Sequence, residues 1–161
     1  TGAAYVYALS ELLPDPPVPY CTAGTSAAGC TATLCAGGTA SASAELGFAL
    51  SAEHMQGGVD GLVFFGTSGR QANPWGNGTS IQCVLPPVQR TPLVQGEGTS
   101  GQCDGRLFRD LNASWCPSCP QAAKNPGAGA VVQAQLWYRD PLSTSNQTTS
   151  LSNAVEFTLQ P

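Results

Sequence analysis

Charge is scarce in this chain: only 10% of its 161 residues are Asp, Glu, Lys or Arg, against roughly 25% in an average soluble protein. One lysine and five arginines are scattered along it, and the net charge is −4. Nucleic acid is excluded as a partner, because neutralising phosphates takes clustered Lys and Arg. A membrane span is also missing, since no apolar run approaches the roughly 20 residues that a helix needs to cross a bilayer. There is a single histidine and a single methionine. Thr1 follows no charged n-region or continuous apolar h-region, as expected of a mature form whose leader has been removed. Long helices are disfavoured by 19 glycines and 13 prolines.

What is present suits short strands joined by turns. Residues 45–52 alternate, with Leu46, Phe48 and Leu50 on one face. Leu62-Val63-Phe64-Phe65, within 61–66, is continuous enough for a central strand. Residues 79–85 alternate Ile81, Cys83 and Leu85 against Gln82, and 88–95 form an edge strand interrupted by Pro92. Residues 106–113 suit a strand or one helical turn. The segment 130–139 places Val132, Ala134, Leu136 and Tyr138 inward and Gln133 and Gln135 outward. The chain closes with Val155, Phe157 and Leu159 on one face of 153–159. Residues 21–43, 67–78 and 114–129 are small, polar and turn-rich, and are expected to be loops. The expected fold is all-β, an antiparallel β-sandwich of jelly-roll or immunoglobulin-like kind with disulfide-pinned loops.

An N-terminal strand extension precedes it. In residues 1–13, Ala3, Tyr5, Tyr7 and Leu9 fall on one side of an extended chain and Ala4, Val6 and Ala8 on the other. Both faces are apolar, so this strand has to be covered twice. Pro14-Asp15-Pro16-Pro17-Val18-Pro19 follows as a stiff tether. The expected division is residues 1–19 as strand and tether, and 20–161 as the β-domain.

Several motifs carry a resemblance. They are Tyr20-Cys21-Thr22-Ala23 with Gly29-Cys30, and the run Gly66-Thr67-Ser68-Gly69-Arg70-Gln71-Ala72-Asn73-Pro74-Trp75-Gly76-Asn77-Gly78-Thr79. Cys83-Val84-Leu85-Pro86-Pro87, Cys103-Asp104-Gly105, Val131-Val132-Gln133-Ala134-Gln135-Leu136-Trp137-Tyr138-Arg139-Asp140-Pro141 and Leu151-Ser152-Asn153-Ala154-Val155-Glu156-Phe157 complete the set. Together they resemble an uncharacterised secreted domain of large extracellular proteins of environmental bacteria, over about 20–159. The resemblance implies a cell-surface or secreted location and no known activity, and it leaves residues 1–19 outside.

Seven cysteines without histidine partners favour an oxidising, extracytoplasmic compartment. Spacing suggests three local bridges, Cys21 with Cys30, Cys83 with Cys103 and Cys116 with Cys119. Cys35 is then left over, and its ordinary role is a buried inert thiol; an intermolecular bridge, or pairing with Cys21 or Cys30, are the alternatives. Trp115-Cys116-Pro117-Ser118-Cys119 has a redox-like spacing, but that chemistry needs the first Cys at a helix N-terminus in a βαβ unit. No zinc or other metal set, and no cofactor, is expected.

Catalytic residues are not in view. His54 with Ser51 or Ser68 lacks a nucleophile turn, and Asp104, Asp110 and Asp140 sit beside turns, where capping is the ordinary role. Trp75, Trp115, Trp137 and Tyr138 could stack a sugar, Trp75 best because it lies in a Gly/Asn-rich stretch. Candidate glycosylation sites are Asn77, Asn112 and Asn146. The function expected is that of a structural, non-enzymatic subunit of an extracellular filament or surface assembly. Self-association into a homopolymer would run by addition of the N-terminal strand, with Ala3, Ala4, Tyr5, Val6, Tyr7, Ala8 and Leu9 entering a neighbour. The alternatives are pairing of that strand within its own domain, and a carbohydrate-binding or adhesive module of a larger secreted protein.

Overall fold

The computed structural model describes residues 14–76, 78–119, 123–144 and 147–161. Among these the chain is all-β, with eleven strands and one helical turn. Every strand pairing is antiparallel. The strands are β1 (Val18–Tyr20), β2 (Thr33–Gly38), β3 (Phe48–Met55), β4 (Asp60–Gly66), β5 (Arg70–Trp75), β6 (Ser80–Val84), β7 (Gln89–Arg90), β8 (Val94–Gln95), β9 (Gly105–Asp110), β10 (Val131–Arg139) and β11 (Thr149–Thr158); α1 is Asn112–Trp115. The large sheet runs β1-β11-β10-β4-β7, with β8 also on β4; β2-β3-β9 make a second sheet and β5-β6 a hairpin.

The main core forms where the two larger sheets contribute their apolar faces. Leu34, Phe48, Leu50, Ala52 and Leu107 come from the three-stranded sheet, and Val63, Phe65, Leu136, Tyr138 and Phe157 from the large one. Trp115 closes one end: its indole N–H donates to the Ser41 carbonyl at 2.9 Å and its ring meets Phe65 edge-on at 5.4 Å. The continuous run in β4 is explained by its two faces. Val63 and Phe65 enter the main core, while Leu62 and Phe64 enter a smaller cluster with Val84, Trp75 and Trp137. A strand buried on both sides has no polar face to alternate.

That second cluster corrects the reading of β10. Val132, Ala134, Leu136 and Tyr138 are buried as expected, but Gln133 and Gln135 are buried too. The cause is the stretch 67–78, expected to be a loop, which supplies β5 of the hairpin; among its contacts, β6 lies against β10 and β11. Gln135 holds this layer in place. Its Oε1 accepts from Cys83 N–H at 2.9 Å, and its Nε2 donates to the carbonyls of Ile81 at 2.8 Å and Ser152 at 2.7 Å.

Other departures have equally local causes. Residues 21–43, expected to be loop throughout, contain β2, whose small residues still pair with β3 from Thr33 to Gly38. Gly38 takes φ +87°, and a Cβ there would strike the Gly47 carbonyl oxygen, so glycine is required at this crossing. Leu46 is 68% exposed because β3 begins only at Phe48. Pro92 splits the expected edge strand into β7 and β8; between them Thr91 stays bonded to β4, its N–H donating to Val63 O and its hydroxyl accepting from Val63 N–H. The segment 106–113 is both of the things expected of it, β9 followed by α1. β1 takes Val18 and Pro19 into the large sheet, opposite Glu156 and Val155, so the folded domain starts before the expected boundary at Tyr20.

Cys116–Cys119 pairs as expected, whereas the other two pairings do not. The bridges are Cys21–Cys83 and Cys30–Cys103, with Cα atoms 6.3 and 5.2 Å apart. β1 lies on one side of the β11 ladder, and the hairpin packs against β11. That arrangement brings Cys21 to Cys83 across 62 positions of sequence. Proximity in the chain is a poor guide where strands are ordered by sheet topology. Cys35 is free and exposed, not buried, because it alternates with the inward Leu34. Among the described residues no helix is long and apolar enough to cross a membrane, and three disulfides accord with an oxidising, extracellular environment.

Candidate functional site

The residues proposed from sequence for strand addition, Ala3, Ala4, Tyr5, Val6, Tyr7, Ala8 and Leu9, lie outside the described residues, as do Asn77 and Asn146. The tether that follows them is described from Pro14 onward. β1 runs antiparallel to β11 with Val18 opposite Glu156. Pro14, Pro16 and Pro17 precede it and, with Phe157, Thr158 and Gln160, line a groove of about 450 Å³.

The other wall of this groove is the edge of β2. At its upstream end that edge is closed by a side chain: Leu34 N–H donates to Asn153 Oδ1 at 2.6 Å, and Asn153 Nδ2 donates back to Leu34 O at 3.0 Å. In an antiparallel ladder, every second residue turns its N–H and C=O the same way. Ala36 and Gly38 therefore face outward like Leu34. Among the described residues no hydrogen bond outside the β2–β3 ladder reaches them. Ala36, Gly37 and Gly38 line the groove together with Phe48, whose ring sits 4.5 Å from that of Phe157. An unpaired strand edge over aromatic side chains is a template for another strand.

A second concavity lies on the opposite face of the large sheet. Register builds it: β7 sets Arg90 opposite Phe64, and β10 sets Trp137 opposite Leu62 and Arg139 opposite Thr149. Directly opposed residues share a face. Trp75, at the end of β5, covers part of this face, and its indole N–H donates to Thr149 Oγ1 at 3.1 Å. The remaining cleft has a volume of about 360 Å³. The Arg139 guanidinium carbon lies 5.5 Å from the Trp137 ring centroid.

The other candidates are distributed singly. Asn112 is fully buried: its Oδ1 accepts from Ser41 N–H at 3.0 Å, and its Nδ2 donates to the Thr39 and Leu46 carbonyls. An amide held at both ends leaves no place for a glycan in the folded domain, which corrects that expectation. Trp115 and Tyr138 are buried and Trp75 and Trp137 half-buried, so of the four aromatic candidates only the last two face the cleft. Asp104, Asp110 and Asp140 each accept from backbone N–H groups, of Thr99, of Gly47 and Asn112, and of Ala27. Hydrogen bonds from Thr99 hold the Asp104 carboxyl below its usual range. His54 adopts φ +59° where the β3–β9 register slips. Among the described residues no hydrogen bond joins it to Ser51 or Ser68. No group of three or more His, Cys, Asp and Glu side chains gathers to hold a metal there either.

Where tether, hairpin and large sheet meet, Arg70 forks onto Glu156 with Nε to Oε2 at 3.0 Å and Nη2 to Oε1 at 2.6 Å, and Gln133 Nε2 donates to the same carboxylate at 2.9 Å. The Arg70 hydrogen bond, first of all, holds Glu156 below the ordinary carboxylate range. Arg70 also lies 4.4 Å over the Tyr20 ring, and the Tyr20 hydroxyl donates to Cys83 O at 3.0 Å. Burial, then the Glu156 charge, push the Tyr20 pKa from 10.0 up to about 12. A pKa raised on folding gives stability that is complete below the unfolded value and lost as pH rises through the folded one. Melting temperature should therefore fall between pH 10 and about 12, and Tyr20→Phe should flatten that fall. Parallel melting curves for the two proteins through this window would refute the assignment.

The chain matches no family model, no curated protein and no solved structure.

Proposed function

We propose that this chain is a structural subunit of an extracellular filament or surface assembly, in which residues 1–13 of one subunit add as a strand to the β2 edge of the next. The two larger sheets around one core are read here as an antiparallel sandwich with one open side. The observation that carries the proposal is the coincidence of three features in one groove: the edge at Ala36 and Gly38, unpaired among the described residues, the aromatic pair Phe48 and Phe157, and the proline tether itself. Strand addition supplies main-chain hydrogen bonds for affinity and side-chain pockets for register. The apolar faces of residues 1–13 match such a site, since one face would meet the groove and the other the next layer. Fully extended, 13 residues reach roughly 43 Å, enough to leave one domain and cross another. The prolines prevent the tether from pairing fully with its own β11, which favours donation outward. The partners under this reading are further copies of the chain, and the resemblance of residues 20–159 to secreted bacterial domains belongs to the same proposal.

The full chain should form oligomers or filaments visible by negative-stain electron microscopy. Val6→Asp places a charge inside the docked strand, where burial without a partner is costly. It should yield monomers with an unchanged melting temperature. Polymers of undiminished length from Val6→Asp would remove the strand from the mechanism.

A further inference from the structure

We propose that the cleft between Trp75 and Trp137 binds an acidic glycan, a saccharide chain carrying carboxylate or sulfate groups. This goes beyond assembly and stands on a different face of the molecule.

The argument begins with charge. The protein is acidic overall and has only five arginines, yet two of them, Arg90 and Arg139, line this one cleft. None of the acidic residues among the described residues does. Among the described residues neither guanidinium has a carboxylate partner; the ion pair found there is Arg70 with Glu156, elsewhere in the fold. In a protein this poor in cations, two unneutralised arginines sharing one concavity make a local positive field on a negative molecule. The planar fork of Arg matches carboxylate and sulfate oxygens in pairs.

The walls supply the second half of a sugar site. Trp75 and Trp137 are half-buried, so each offers part of a ring to solvent while its position is fixed. Trp75 is fixed by its bond to Thr149, and Trp137 by its place in the β10 ladder opposite Leu62. Aromatic faces of this kind hold apolar faces of ligands with little loss of side-chain freedom. Arg139 rests against Trp137, which orders the guanidinium before a ligand arrives. The cleft volume of about 360 Å³ falls in the roughly 300–1,000 Å³ range of small-ligand sites. That suits a short stretch of a polysaccharide, with the rest of the chain running past the exposed Leu93 on its rim.

The test is a titration of the full chain, followed by tryptophan fluorescence and calorimetry, with three probes. These are a hexamer of galacturonate, a sulfated hexasaccharide and a neutral cello-hexaose. A poly-glutamate peptide of matched charge is the fourth arm. Saturable binding of one or both acidic saccharides is expected. Cello-hexaose and the peptide should bind at least tenfold more weakly, and affinity should fall as salt rises. Which acidic probe binds better identifies the anionic group. Arg90→Gln and Arg139→Gln alter exposed side chains and should keep the melting temperature while weakening binding about tenfold each. Trp75→Phe retains a ring but loses the Thr149 bond, and should weaken binding less than Trp137→Ala. The proposal is overturned by absence of saturable binding to either acidic probe, by equal binding of the neutral sugar or the peptide, or by full affinity in the double arginine variant.

Discussion

Replacing Cys30 and Cys103 together with alanine should lower the free energy of unfolding by about 4 kcal/mol, and replacing Cys116 and Cys119 by only about 2. The difference comes from the loops closed. Cys30–Cys103 spans 73 positions and Cys116–Cys119 spans 3, and the unfolded chain loses more freedom when a longer loop is tied. Cys21–Cys83, spanning 62, should behave like the first pair, again about 4 kcal/mol. The local pairing suggested by spacing leads elsewhere: a Cys21–Cys30 bridge would contribute about 3 kcal/mol on the same account. It would also leave Cys21→Ala without effect on the hairpin. Urea unfolding of the double variants, with proteolytic mapping of linked peptides in the wild type, checks both the ranking and the connectivity. A peptide joining Cys21 to Cys30, or equal losses from all three double variants, would refute the topology.

Gln135→Leu should be the most damaging single conservative substitution in β10, with a loss of about 4 kcal/mol. Leucine fits the volume and the surroundings are apolar, so a hydrophobic count alone favours the change. The hydrogen bonds decide otherwise. Cys83 N–H and the carbonyls of Ile81 and Ser152 all bond to this one amide. Each buried group left unpaired costs about 1–3 kcal/mol. The loss should appear first as detachment of the β5–β6 hairpin, seen as accelerated amide exchange in Ser80–Val84 before global unfolding. Gln82 is the control: it is only half-buried and among the described residues no hydrogen bond engages its side chain. Gln82→Leu should change stability by less than about 0.5 kcal/mol. If Gln135→Leu is equally mild, the hairpin is held by packing and not by this amide.

The same residue shows how far the sequence could be read. Period-two alternation located the inward face of β10 at Val132, Ala134, Leu136 and Tyr138, because apolar burial leaves a direct mark on composition. It assigned Gln133 and Gln135 to solvent, because a glutamine bonded to a covering layer looks the same in sequence as one bonded to water. The covering layer was itself hidden: Asn73 and Pro74 in β5 are turn residues by preference, tolerated because a two-stranded hairpin is all edge. β4 announced its two covered faces through Leu62-Val63-Phe64-Phe65, and that was the available signal of a third layer. Disulfide partners were illegible for a related reason, since strand order in space is set by pairing and not by succession in the chain. Of the cleft, Trp75 stood out on its loop-like setting, but Arg90 and Arg139 did not. Only the sheet register brings them to one face. The edge of β2 was likewise invisible within a stretch of Ala, Gly, Thr and Cys that read as loop.

Assembly through the β2 edge is tested most directly by mixing two full-length variants, each unable to polymerise for a different reason. Val6→Asp spoils the donated strand and leaves the acceptor edge intact. Ala36→Pro removes an outward N–H from that edge, where a proline costs little because the group has no partner among the described residues. Each variant alone should be monomeric by light scattering, and the mixture should give a 1:1 dimer that grows no further. Only the Ala36→Pro strand can enter, and only the Val6→Asp edge can receive it. Two monomers that remain monomers on mixing, or polymers from either variant alone, would contradict strand addition at β2.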